Sequence, residues 1–306
     1  MKVRRASSVL AALVSFALTV DSSAASSARY GVDLMLVPPP AGARHDVFGL
    51  QFGLVADARS LYGLQLGFLW GALEADSGPL QLALFGTVAD KDFAGVQAGL
   101  CVAHCGGDFD GLQLSGVRSS AHRMRGVQLS VMESVAGAGG NLSLTLRKPD
   151  PRGELAARLE SLGIQLSDAS RGLPPGESLA SFDSTGDFPF AAGPSSSGIQ
   201  VGGAWATASG CFSGIQIAGL DATSEHLRGV AAGTFCSSLW VEGVQAGAIT
   251  QTVLLEGVQV GVFNQAQCAC GLQIGLINYA RTLRGVQIGL LNVSGSRALP
   301  FVNISF

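Results

Sequence analysis

The chain has 306 residues, a formal net charge of −3 and 13% charged side chains. It holds no basic run to neutralise phosphates, which excludes nucleic-acid binding on electrostatic grounds, and no unbroken apolar stretch long enough for a membrane-spanning helix. Hydrophobic residues make up 47% of it beside 42 glycines, which is ample apolar surface for a core, though a quasi-linear one.

Residues 1–28 read as an export signal. Lys2, Arg4 and Arg5 form a positive start, 9–20 is a short apolar run, and Ser22-Ser23-Ala24 and Ser26-Ser27-Ala28 are small-residue cleavage points. No cysteine follows the cleavage point, so no lipid anchor is indicated. Residues 30–37 then read as a strand.

A unit G-h-Q-h-G, with h apolar, recurs through two blocks, 29–136 and 198–306. It reads GLQFG at Gly49, GLQLG at Gly63, GVQAG at Gly95, GIQVG at Gly198, GVQAG at Gly243, GVQVG at Gly257, GLQIG at Gly271 and GVQIG at Gly285. Looser copies start at Pro79, Gly111, Gly126, Gly214 and Gly229. Starts within a block lie 14 to 16 residues apart, settling to 14. Position 3 is Gln in twelve of the thirteen copies, the exception being Ala231, and position 5 is Gly, Ala or Ser. Such an array outranks other signals in fixing the fold.

Alternation over positions 1 to 6 has period two, which predicts strand. Glycine at positions 1 and 5 would cost about 1 kcal/mol each in a helix interior. After position 6 the phase slips, so the chain must turn or bulge there. The class is therefore all-β, and two architectures fit. In a β-solenoid each unit is one coil, equivalent residues stack about 4.8 Å apart, and thirteen coils make a rod of roughly 60 Å. In an antiparallel outer-membrane barrel each unit is one strand, with the Gly/Gln row lining the lumen. The solenoid is favoured: no double period near 28 marks alternating strands, and Tyr and Trp total only six, too few for aromatic girdles. The terminal LPFVNISF and the strand at 30–37 speak for the barrel.

The candidate repeat-face ladder is Gln51, Gln65, Gln97, Gln113, Gln128, Gln200, Gln216, Gln245, Gln259, Gln273 and Gln287, with Gln81 in the same row. As a surface it would bind an extended polymer or a flat partner. As structure it would satisfy its own amides along the stack, with the apolar row hidden; this second reading is favoured. Asn264, Asn278 and Asn292 form a shorter column that supports the turn.

Residues 137–197 interrupt the array as an insertion. A strand is predicted at 141–147, a short helix at 154–162, a decayed unit at 163–167, and no regular structure over 171–197. The six cysteines suggest disulfides or buried thiols, with Cys211–Cys236 the preferred link among the fifteen pairings. Cys101, His104 and Cys105 lack a fourth zinc ligand, and the isolated His45 and His122 read as exposed turn residues. No pattern calls for a cofactor or a catalytic group.

The last units, GLQIGLINYARTLRGVQIGLLNVSGSRALPFVNISF, resemble a family of uncharacterised exported bacterial proteins with tandem G-h-Q-h-G-h-h-N surface repeats. The likeness is specific over 257–292 and loose before 198. It implies an envelope or surface location and no activity, substrate or cofactor. The expectation is a non-enzymatic structural or interaction protein of the bacterial envelope, at the outer membrane or cell surface, or in the periplasm. Its partner would be the outer membrane or a surface ligand; the alternative is a small barrel acting as pore or anchor.

Overall fold

The computed structural model describes residues 28–35, 44–137, 158, 160–161 and 195–306. They form a β-solenoid of about 13 coils. Each repeat strand lies parallel to the next and in phase with it. Gly49 and Gln51 sit on Gly63 and Gln65, Gly111 and Gln113 on Gly126 and Gln128, and Gln259 on Gln273. The insertion does not break this phase, because Gly198 and Gln200 pair directly with Gly126 and Gln128. The two repeat blocks are one stack.

A coil has two rows of strand. The repeat strand, such as Gly78–Ala83, turns a corner into a short second strand, Gly86–Ala89, before the next repeat strand, Phe93–Gly99. The second strands stack among themselves: Gly86–Ala89 lies between its counterparts in the coils before and after. The expected slip after position 6 appears as a register shift between Gly53 and Val55. The interior is thin. Its apolar part comes mostly from the residue two before the unit, as at Leu61, Phe93, Phe109 and Phe212, where only Ser77 and Ser196 are polar, and from alanines of the second row, such as Ala89 and Ala121.

The barrel is overturned. Strand pairing is parallel up to the last strand, Arg297–Ser305, which turns back antiparallel on Gly285–Ser294. The terminal alternation that suggested a closing barrel strand is instead a lid on the final coil. The export signal before Ala28, the strand at 141–147, the decayed unit at 163–167 and most of the irregular stretch 171–197 lie outside the described residues; the end of that stretch is regular, since Ser196 and Ser197 open the strand Ser196–Gly202 that stacks on the first block. Of the helix expected over 154–162, positions 158, 160 and 161 are helical.

The first glycine of the unit is fixed by two constraints. Gly126 has φ +123°, and a Cβ there would collide with the carbonyl oxygen of Gly111 in the coil before. Gly31 also has positive φ, but open space around it. Gly126→Ala is therefore expected to cost about 3–5 kcal/mol, strain plus overpacking, and Gly31→Ala only about 1 kcal/mol, measured by urea unfolding. Equal costs would mean that the close approach between coils is unimportant.

Candidate interaction surface

The position-3 glutamines come together as foreseen, but they face inward. All twelve are 0% exposed, so they form no contact surface. Gln113 Nε2 donates to Gln97 Oε1 at 2.8 Å and to the Ser120 carbonyl at 3.2 Å. Its own Oε1 accepts from Gln128 Nε2 at 2.7 Å. One N–H thus runs along the stack and the other crosses the coil. The carbonyl can only accept, so it fixes which way each amide points. The crossing bond reaches seven residues on in the 16-residue coils, as at Gln97 and His104, and six in the 14-residue coils, as at Gln287 and Val293.

This reverses the expected packing, in which the apolar row was hidden. An amide at position 3 reaches acceptors both across the coil and along it. An aliphatic side chain there would leave a buried carbonyl bare. The residues at positions 2 and 4 then point outward by alternation.

The ladder has a direction, and each end has a matching cap. Its N–H groups point toward the first coil, where Gln51 Nε2 donates to Asp33 Oδ2 at 3.1 Å. A carboxylate only accepts, which suits the donor end. His45 Nε2, 2.9 Å away, and Arg29, at 2.6 Å, also donate to it. Burial raises the Asp33 carboxyl, but hydrogen bonds from His45, Arg29 and Gln51 outweigh burial and hold it at about 2. His45, expected to be an exposed turn residue, is 2% exposed for this reason. At the other end Asn303 Nδ2 donates to Gln287 Oε1 at 2.8 Å, closing the acceptor end.

Ala231 breaks the row. Gln216 Oε1 consequently has no partner. Gln245, on the far side of the gap, turns its amide to Ser238 Oγ, which pairs with Ser224. The asparagine column is likewise internal rather than a simple turn support. Asn264 Nδ2 donates to Asn278 Oδ1, and Asn278 Nδ2 to Asn292 Oδ1, both at 2.8 Å. It runs opposite in sense to the glutamine ladder.

Turning polar side chains inward leaves apolar ones outside. Over the thirteen units, positions 2, 4 and 6 hold no charged residue, and Thr234 is their one polar side chain. Exposure is greatest at position 6, where Leu100 is 64% and Val131 69% exposed. The small residue at position 5 lies between two apolar ridges in most of the early and late coils, so a shallow groove runs along each of these stretches, while position 6 is small at Gly203, Gly219, Thr234 and Ala248 between them. The later stretch, along Val260, Val262, Ile274, Leu276, Ile288 and Leu290, is an open groove of about 890 Å³. The earlier stretch, from Leu66 to Val131 and on to Val201, is an open groove of about 790 Å³. One rim, the residue before each unit, begins with the stacked aromatics Phe48 and Tyr62 and from the fifth unit on carries Asp110, Arg125, Arg228, Glu242, Glu256 and Arg284. Arg228 and Glu242 pair at 3.0 Å.

The other sequence candidates do not join a site. All six cysteines are free, and the preferred Cys211–Cys236 link is absent because Cys211 stacks on His226. Burial pushes the thiols of Cys105 and Cys236 up to about 12 and that of Cys268 to about 11, which keeps them protonated at neutral pH. His104 points to Ser120 Oγ at 2.7 Å, while Cys105 lies in the core. Among the described residues no group of three or more His, Cys, Asp or Glu could hold a metal ion. His226 stacks on Trp240 with ring centroids 4.1 Å apart. No known protein family, curated protein or solved structure matches the chain, so the likeness to exported repeat proteins rests on the repeat itself.

Two outcomes follow from the ladder. Gln113→Leu strands both Gln97 Oε1 and the Gln128 donor, whereas Gln216→Leu strands only Gln200 Oε1 along the stack, because the row already stops at Ala231. The first is expected to cost about 2–4 kcal/mol and the second about 1–2 kcal/mol less, by urea unfolding. The Asp33 carboxyl sits below its ordinary 3.8 in the folded chain. Its stabilisation of about 2 kcal/mol is thus present above about pH 4 and lost as pH falls toward 2. Asp33→Asn is expected to lower stability by about that amount at pH 7 and to converge with the wild type near pH 2.

Proposed function

We propose that this chain is a non-enzymatic structural or interaction protein of the bacterial cell envelope or surface, working through its uncharged outer face. The observation that carries the reading is the apolar band along positions 2, 4 and 6, bordered on one side from Asp110 onward by charged residues. Apolar patches larger than a few hundred Å² with polar rims mark contact sites. A non-catalytic role is supported by the state of the reactive groups. The buried amides are engaged with one another, and the most buried thiols are held protonated. Export is supported by the basic start at Lys2, Arg4 and Arg5, the apolar run at 9–20 and the small residues after it.

The test places a photo-cross-linking side chain at Leu276, on the band, or at exposed Lys91, away from it, in cells making the full chain. Capture of a larger complex outside the cytoplasm from Leu276 and not from Lys91 is the expected result. Recovery in the cytoplasm, or no capture from Leu276, would overturn the reading.

A further inference from the structure

The band is large, uncharged and periodic, and these three properties together constrain what can cover it. Thirteen coils at about 4.8 Å, each presenting roughly 17 Å of strand, give a face of about 1,000 Å². That exceeds the largest patch of an ordinary monomer. It also reaches the roughly 800 Å² per partner of a stable protein–protein interface.

Charge narrows the choice. A membrane surface would call for a basic rim or an interfacial aromatic belt. Here the rim carries both signs, with Arg125, Arg228 and Arg284 beside Asp110, Glu242 and Glu256, and the whole chain carries −3; its stacked aromatics, Tyr30, Phe48 and Tyr62, are confined to the first coils and form no belt along the stack. A face that pairs with itself must avoid like charges meeting across the contact. Positions 2, 4 and 6 hold none.

Periodicity narrows it further. The strand rows repeat with the coil spacing, in phase from Gly49 to Gly63 and from Gln273 to Gln287, and the position-6 ridge is mostly large in the early and late coils and small at Gly203, Gly219, Thr234 and Ala248 between them. A partner with another spacing matches such rows only locally. A second copy has the same spacing and the same ridge-and-groove relief, with Leu276 and Leu290 standing beside the glycine floor at Gly275 and Gly289. Two sheets can then pack face to face about 10 Å apart with their rows aligned.

We infer that the apolar band is covered by the same band of a second copy, giving a face-to-face dimer of two solenoids. This rests on the band being a contact surface, and it names the partner. The rim of charged residues stays at the edge of the interface, in contact with water, and Thr234 is the one polar side chain within it.

Sedimentation velocity of the purified full chain tests this. The wild type is expected at twice the monomer mass of 31.2 kDa. Ile217→Asp and Leu276→Asp, both on the band, are expected to weaken association at least about 100-fold, as burial of an unpaired charge requires, with the sheet signal in far-UV circular dichroism unchanged. Leu276→Thr, a milder change, should show the same trend if either aspartate variant fails to fold. Lys91→Glu should leave the dimer intact. A wild type that is monomeric at tens of micromolar overturns the proposal, as does a dimer indifferent to the band variants. So does a monomer that binds phosphatidylethanolamine vesicles through the band. A monomer that still captures another protein from Leu276 in cells overturns only the dimer. A monomer that captures nothing overturns the contact-face reading as well.

Discussion

The structure depends on one constraint: neighbouring coils must stay in phase so that each buried amide meets the next. A glutamine in the interior is most stable when both its N–H groups and its carbonyl are used, because an unpaired polar group in the core costs more than the bond gains. Gln113 meets this condition through Gln97, Ser120 and Gln128 at once. A slip of one residue between coils would turn the glutamines outward and the leucines inward. The ladder therefore selects the register, and the glycine at position 1 permits the approach that the ladder needs. Where the row fails, at Ala231, serines take over part of the role and one oxygen is left without a partner.

The same constraint explains the ends. A directional row of amides has a donor end and an acceptor end, and the two require different chemistry. Asp33 supplies an acceptor held ionised by Arg29 and His45, and Asn303 supplies a donor from the reversed last strand. The antiparallel strand Arg297–Ser305 thus covers the final coil and completes the polar row in one step.

Much of this was legible in the sequence. The 14- to 16-residue period, the strand class, the preference for a solenoid and the alignment of the glutamines all follow from spacing. What misled was the side of the strand. Alternation shows that Leu112 and Gln113 face opposite ways, but not which of them faces in. The usual rule hides the leucine. It fails here because the interior is bounded by main-chain carbonyls within reach of an amide, and that feature exists only once the coil has closed. The caps were illegible for a related reason: Asp33 lies eighteen residues from Gln51 and becomes its neighbour only through stacking. By sequence His45 is an isolated turn residue, and only the closed first coil places it on Asp33. The preferred Cys211–Cys236 link treated sequence proximity as stacking, whereas register places His226 beside Cys211.

The inversion of inside and outside links fold to function. Placing amides in the core frees the aliphatic residues of positions 2, 4 and 6 to form a continuous outer face, and the proposed role follows from that face. Side-chain amide hydrogen exchange, followed by NMR, tests the inversion most directly. Gln113, sealed in the ladder, should exchange at least about 10³-fold more slowly than Gln251, which is exposed, as expected for a group released only by cooperative opening. Exchange of Gln113 as fast as that of Gln251 would contradict the account.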